Sequence, residues 1–117
     1  MASDVTPQLL DVVPLNRRAV LPDVPVVLVA YEEWSDRGVL RLAAPGPAPV
    51  DVTGDGSRWV LRRGDAVVAR TTGGGGGYRG GLNACELHFA PPTPYAPGLS
   101  LVLLDADGGV VHDCTIS

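Results

Sequence analysis

Lysine does not occur among the 117 residues, and aromatic residues are sparse at 5% of the chain. Without lysine there is no phosphate-binding loop of the usual kind, no Schiff base and no lysine general base. No Gly-x-Ser-x-Gly elbow is present to carry a serine nucleophile. No apolar run approaches the length of a membrane-spanning helix. The opening residues, Met-Ala-Ser-Asp-Val-Thr-Pro-Gln, have neither a basic nor an apolar region of the secretory type, so a cytoplasmic location is expected. Basic charge is short as well: nine arginines face 13 acidic residues, for a net charge of −4 and a pI near 4.9. That balance argues against nucleic acid and anionic membrane as partners, since both select for a basic footprint. The doublets Arg17-Arg18 and Arg62-Arg63 read as solvated strand ends.

What is abundant is Val, Leu, Gly and Pro, with 15 glycines and 11 prolines in a chain that is 45% hydrophobic. A domain of this size buries enough apolar surface to fold without a metal or a disulfide. No segment carries an uninterrupted helical period, and turn signals recur at short intervals between Val- and Leu-rich stretches, which predicts an all-β fold of seven to nine short antiparallel strands, a sandwich or, alternatively, a small barrel. Residues 1–8 are expected to be a flexible N-terminal segment and residues 9–117 a single domain.

Along the chain, strands are expected at Leu9 to Val13, ending at Pro14, and at Arg18 to Leu21, followed by a Pro22-Asp23 turn. Val24 to Trp34 is the strongest strand. Its stretch Val26-Val27-Leu28-Val29-Ala30 is apolar on both faces, so both need cover from the domain or a partner. A hairpin at Ser35 to Gly38 returns through Val39 to Ala43, and the prolines from Pro45 to Pro49 form a stiff crossover. Gly54-Asp55-Gly56 opens the next hairpin, in which Trp59 and Leu61 point inward and Arg58, Val60 and Arg62 outward. The turn Arg63-Gly64-Asp65 leads into Ala66 to Thr71. Gly73 to Gly77 is expected to be a loop, because five glycines carry more backbone freedom than a regular element tolerates. Asn83, Cys85, Leu87 and Phe89 alternate toward the core, as do Leu99, Leu101 and Leu103. The Asp105 to Gly109 turn folds back into a strand with Val110, His112, Cys114 and Ile116 on one face.

The order of hairpin, inward Trp59, glycine-rich loop, Phe89-Ala90-Pro91-Pro92 and Leu99-Ser100-Leu101-Val102-Leu103 resembles small immunoglobulin-like β-sandwich domains of actinobacterial proteins. More loosely it is similar to the immunoglobulin-like domains of bacterial anti-sigma factors and lipoproteins. The resemblance spans Leu10 to Asp105. It implies an immunoglobulin-like sandwich and a non-catalytic, contact-making role, and it transfers no site residues.

Chemistry-bearing residues are concentrated in two short segments, Cys85-Glu86-Leu87-His88 and His112-Asp113-Cys114. Two Cys and two His are the inventory of a tetrahedral zinc site, but Cys85 and His88 are an odd number of positions apart and point to opposite faces of an unbroken strand. The preferred reading makes both cysteines small core residues, with His88 solvated. A Cys-His nucleophile pair would need an accessible, electropositive pocket. Glu32 and Glu33 are strand neighbours facing opposite ways and form no acid–base pair. Asp105-Ala106-Asp107-Gly108 resembles the start of a calcium loop but lacks its remaining ligands, so an ordinary turn is expected. Tyr31, Trp34, Tyr78 and Tyr95 are the aromatics available to a sugar-stacking platform, the basis of an alternative reading as a carbohydrate-binding module. The expected function is a non-catalytic interaction or assembly module with no cofactor, whose partner is a protein or a second copy of the chain. The contact residues expected are Val27, Val29 and Tyr31 on the exposed side of the strongest strand, with Tyr78 and Arg79 beside the glycine run. A structural zinc domain using Cys85, His88, His112 and Cys114 is the alternative.

Overall fold

The computed structural model describes residues 6–20, 25–45, 58–79 and 82–117. The expected Pro22-Asp23 turn, most of the proline crossover and the Gly54-Asp55-Gly56 turn lie outside these residues. Among the described residues, eight strands run in chain order: β1 (Leu9–Val20), β2 (Pro25–Trp34), β3 (Gly38–Pro45), β4 (Arg58–Arg63), β5 (Ala66–Arg79), β6 (Leu82–Ala90), β7 (Leu99–Leu104) and β8 (Val110–Thr115). All pairings are antiparallel, and among the described residues there is no helix. The strands form one continuous sheet in the order β1-β2-β3-β6-β5-β4-β7-β8, curled into a half-barrel. The fold is therefore all-β with a strand count inside the expected range, and the curl is compatible with either a sandwich or a small barrel.

The concave side holds the core. Val26, Leu28, Tyr31, Leu40, Leu42, Trp59, Leu61, Leu87, Phe89, Leu99, Leu101 and Ile116 are all buried there. Alternation explains most of the set, because residues two apart on a strand share a face. Trp59 and Leu61 face inward as expected, and so do Cys85, Leu87 and Phe89.

Three expectations fail for identifiable reasons. β1 is one strand, not two: Pro14 is accommodated opposite Ala30, and an extra residue is absorbed between Pro14 and Arg17, where Asn16 has φ 48°. Asparagine tolerates this left-handed conformation better than most residues, which suits a bulge. β2 carries a second irregularity opposite β3, since Leu28 pairs with Leu42 but Ala30 pairs with Arg41. The extra residue, Val29, inverts the alternation, so Tyr31 points into the core with Val26 and Leu28 and is fully buried. Finally, the five glycines form a strand. Gly73 to Gly77 pair with His88 to Ala84 of β6, and the ladder continues to Arg79 opposite Leu82. A backbone ladder needs no side chains, so pairing outweighs a glycine cost of roughly 0.5–1 kcal/mol per residue relative to alanine. A smaller shift between Leu103 and Leu104 leaves Val110 exposed while His112, Cys114 and Ile116 stay on the inner side.

One end of the trough is sealed by the segment between β6 and β7. The Tyr31 hydroxyl donates to the Thr93 carbonyl at 2.6 Å, and the Tyr95 hydroxyl donates to the Ile116 carbonyl at 2.9 Å. The Tyr95 amide donates to the Glu33 carboxylate at 2.6 Å. The two tyrosine rings lie 6.0 Å apart at 39°. Gly38 makes this arrangement fit, since a Cβ there would run into the Tyr31 phenol. At the seam of the curl, Arg17 of edge strand β1 reaches the Thr115 carbonyl of edge strand β8 at 3.4 Å.

Candidate functional site

Among the described residues, the most highly connected polar cluster lies on the outer face of β2, β3 and β6. Arg41 stands directly opposite Glu86 on β6, and Glu32 lies diagonally across from it on β2. The Arg41 guanidinium donates through Nε to Glu32 Oε2 at 2.5 Å and through Nη1 to Glu86 Oε2 at 2.7 Å. Trp34 Nε1 donates to Glu32 Oε1 at 2.9 Å, while His88 Nε2 lies 2.8 Å from Glu86 Oε1. Arg37 covers the Trp34 ring, its guanidinium carbon 5.9 Å from the ring centre.

The electrostatics of this cluster suit an ionic strap. Burial pushes the Glu32 carboxyl up, but the hydrogen bonds from Arg41 and Trp34 together outweigh it and hold the group below the usual carboxylate range. Glu86 is lowered as well, first by its hydrogen bond with His88 and then, against the cost of burial, by Arg41. Arg41 is raised in turn, chiefly by its bond to Glu32. A general acid at neutral pH needs a carboxyl raised toward 7. These two move the other way and stay ionised, so the arrangement cross-links three strands.

The cysteines are likewise poised against nucleophilic use. Burial raises the Cys85 thiol, and it also raises the Cys114 thiol, against a smaller opposite pull from Arg17. A reactive cysteine requires the reverse shift. Cys85 lies on the inner side of β6 and His88 on its outer side with Glu86, while His112 and Cys114 sit on the inner side of β8 opposite Leu103 and Leu101. Among the described residues, no three Cys, His, Asp or Glu side chains gather as metal ligands would.

The expected contact residues divide. Val27 and Val29 are exposed on the outer surface of β2, at 39% and 37%. Tyr31 is withdrawn into the core by the Val29 bulge, which corrects its assignment to the contact surface and removes it from any sugar-stacking platform. Tyr95 packs against it, leaving Trp34 under Arg37. Tyr78 and Arg79 lie on the ladder of β5, opposite Asn83 and Leu82, and the glycine run before them is strand and not loop. The residues of Arg63-Gly64-Asp65 and of Asp105 to Gly109 form turns as expected. Asp105 closes its own turn by accepting from the amides of Asp107 at 2.9 Å and Gly109 at 2.7 Å.

Sequence reading missed the exposed apolar surface of β1. Leu9, Leu10, Val12 and Val20 are each exposed by 45% or more, and with Val27 and Val29 they make six of the nine exposed large apolar side chains among the described residues. The signal was present in the apolar residues on both sides of Pro14, but treating that stretch as two short strands concealed one long edge. No protein-family model, curated protein or solved structure matches this chain.

Proposed function

We propose that the chain is a non-catalytic, immunoglobulin-like interaction module that pairs with a second copy of itself through the outer surface of β1 and β2. The observation that carries this reading is the concentration of exposed apolar side chains on those two adjacent strands. Exposed apolar surface beside a sheet edge is what association removes from water. Arg18, opposite Val27, is the charge that β1 carries on this side, since Asp11 and Arg17 lie opposite Glu33 and Leu28 on the inner side, so a two-fold copy meets this patch through its apolar side chains. Pro14 and the Asn16 bulge interrupt the edge, so the contact rests on side chains and not on a continuous added ladder.

Sedimentation velocity over a wide concentration range tests this. The expected result is a reversible dimer that persists in high salt, and a Val12→Glu, Val27→Glu variant that stays monomeric with an unchanged far-ultraviolet circular dichroism spectrum. A wild-type protein that is monomeric throughout, or a variant that dimerises equally well, overturns the reading.

A further inference from the structure

At the other side of the sheet, the start of β4, Arg70 within β5, the end of β7 and the β7–β8 turn border an open recess of about 330 Å³. Arg58, Arg70, Leu104, Asp105, Asp107 and Gly108 line it. Its volume falls at the small end of the range for small-molecule sites.

The charges in this recess are arranged in two poles. Arg58 and Arg70 come from the strands, Arg70 directly opposite Val60 and Arg58 two residues before Val60 on the same outward face. Neither guanidinium has a hydrogen bond or ion pair among the described residues, whereas Arg41, Arg62 and Arg63 each have at least one. Asp105 and Asp107 come from the turn. Asp105 uses its carboxylate to close that turn, and Asp107 has no cationic partner among the described residues. Four opposite charges therefore line one recess without any ion pair joining them. The recess thus has a cationic side on the strands and an anionic side on the turn.

Val60 and its neighbour Val102 on β7 face outward and yet are fully buried, and the ladder places Arg58, Arg62 and Arg70 around Val60.

We propose that this recess binds a small zwitterion of the α-amino-acid class, the carboxylate held by Arg58 and Arg70 and the ammonium group by Asp107, with Leu104 beneath an aliphatic side chain. Guanidinium forks suit a carboxylate, and the net neutrality of the recess disfavours a ligand carrying only one sign of charge. This site is separate from the β1–β2 surface and does not depend on self-association.

Calorimetric titration of the full chain with leucine, and separately with 4-methylpentanoate and 3-methylbutylamine, tests the assignment. Leucine is expected to bind saturably, with the acid and the amine each at least tenfold weaker, because each lacks one pole. Arg70→Gln and Asp107→Asn should each weaken leucine by tenfold or more while the thermal midpoint stays unchanged, since asparagine is isosteric with aspartate and glutamine keeps the three side-chain carbons nearest the strand. Absence of saturable binding by leucine overturns the proposal. So does acid or amine binding as tight as leucine, or unchanged leucine affinity in both variants.

Discussion

Tyr31→Phe removes a single oxygen from the sealed end of the trough, and its consequence can be worked out at two pH values. At neutral pH the lost group is the donor to the Thr93 carbonyl at 2.6 Å, in a site where Tyr31 is fully buried. The carbonyl is then left without its partner, at a cost of about 1–3 kcal/mol. At alkaline pH the balance changes. Burial, aided by the nearby Glu33 charge and opposed by Arg63, pushes the phenol up to about 12 from an ordinary 10.0. Between these values the unfolded chain has released the proton while the native chain still holds it, so the native state binds more protons and stability falls as pH rises. The contribution is fully present below pH 10 and is lost by about 12, a total of roughly 2–3 kcal/mol at about 1.4 kcal/mol per pH unit. Phenylalanine cannot ionise, so the variant lacks this loss. Urea unfolding followed by tryptophan fluorescence, at neutral pH and in steps above pH 9, should show the wild type more stable at neutrality and its advantage shrinking or reversing above pH 10. Comparing the two proteins cancels the titration of the remaining groups. A neutral-pH cost below about 0.5 kcal/mol would refute the buried hydrogen bond. An advantage that stays flat through the alkaline range would refute the protonation argument.

Two further expectations concern the polar side chains. Arg41→Met keeps an apolar stem but leaves Glu32 and Glu86 without the cation between them. The cost at neutral pH should be about 0.5–1 kcal/mol, because the strap is partly exposed and screened by solvent. Both carboxyls are lowered in the native state, so their contribution is present above about pH 4.5 and fades as pH falls through the lowered values. Denaturation midpoints at neutral and acid pH should therefore show a shallower acid loss in the variant; identical acid profiles would contradict the assignment. The thiols should resist labelling by an aromatic disulfide reagent at mildly alkaline pH, Cys85 until the protein unfolds and Cys114 less completely. Rapid reaction of both in the native protein would contradict their burial and raised thiol values.

How far a residue pattern determines which way a side chain points depends on the continuity of its ladder. β3 and β6 pair without a shift from Gly38 opposite Phe89 to Pro45 opposite Leu82. On β6 the parity rule therefore works: Cys85 turns inward and His88 outward, as their spacing predicts. On β2 the same rule fails after Val29, because a bulge adds one residue against β3 and inverts every position beyond it. Val26, Val27, Leu28, Val29 and Ala30 are all apolar, so either face could be buried and their composition contains no mark of where the inversion falls. The glycine run shows the converse limit. Its side-chain pattern contains no strand signal, and the pairing with His88 to Ala84 that makes it a strand is a property of two backbones.

The polar cluster was hidden for a different reason. Glu32 is nine residues from Arg41, which the β2–β3 hairpin explains, but Glu86 is 45 residues beyond Arg41. They meet because the strand beside β3 is β6, a neighbour that is not next in sequence. Strand order is decided by which faces and edges are left to cover once all the hairpins exist, so no local spacing encodes it. The recess at Arg58 and Arg70 depends on the same non-sequential order, since β4 lies between β5 and β7 and sets arginines from two strands against the Asp105 to Gly108 turn at the end of a third. Sequence reading assigned those aspartates correctly to a turn, and Arg58 correctly to the outward face, yet the two assignments acquire chemical meaning only when the sheet places them in one recess. That is why titrating the recess, and not a further search for linear motifs, is the direct route to a ligand.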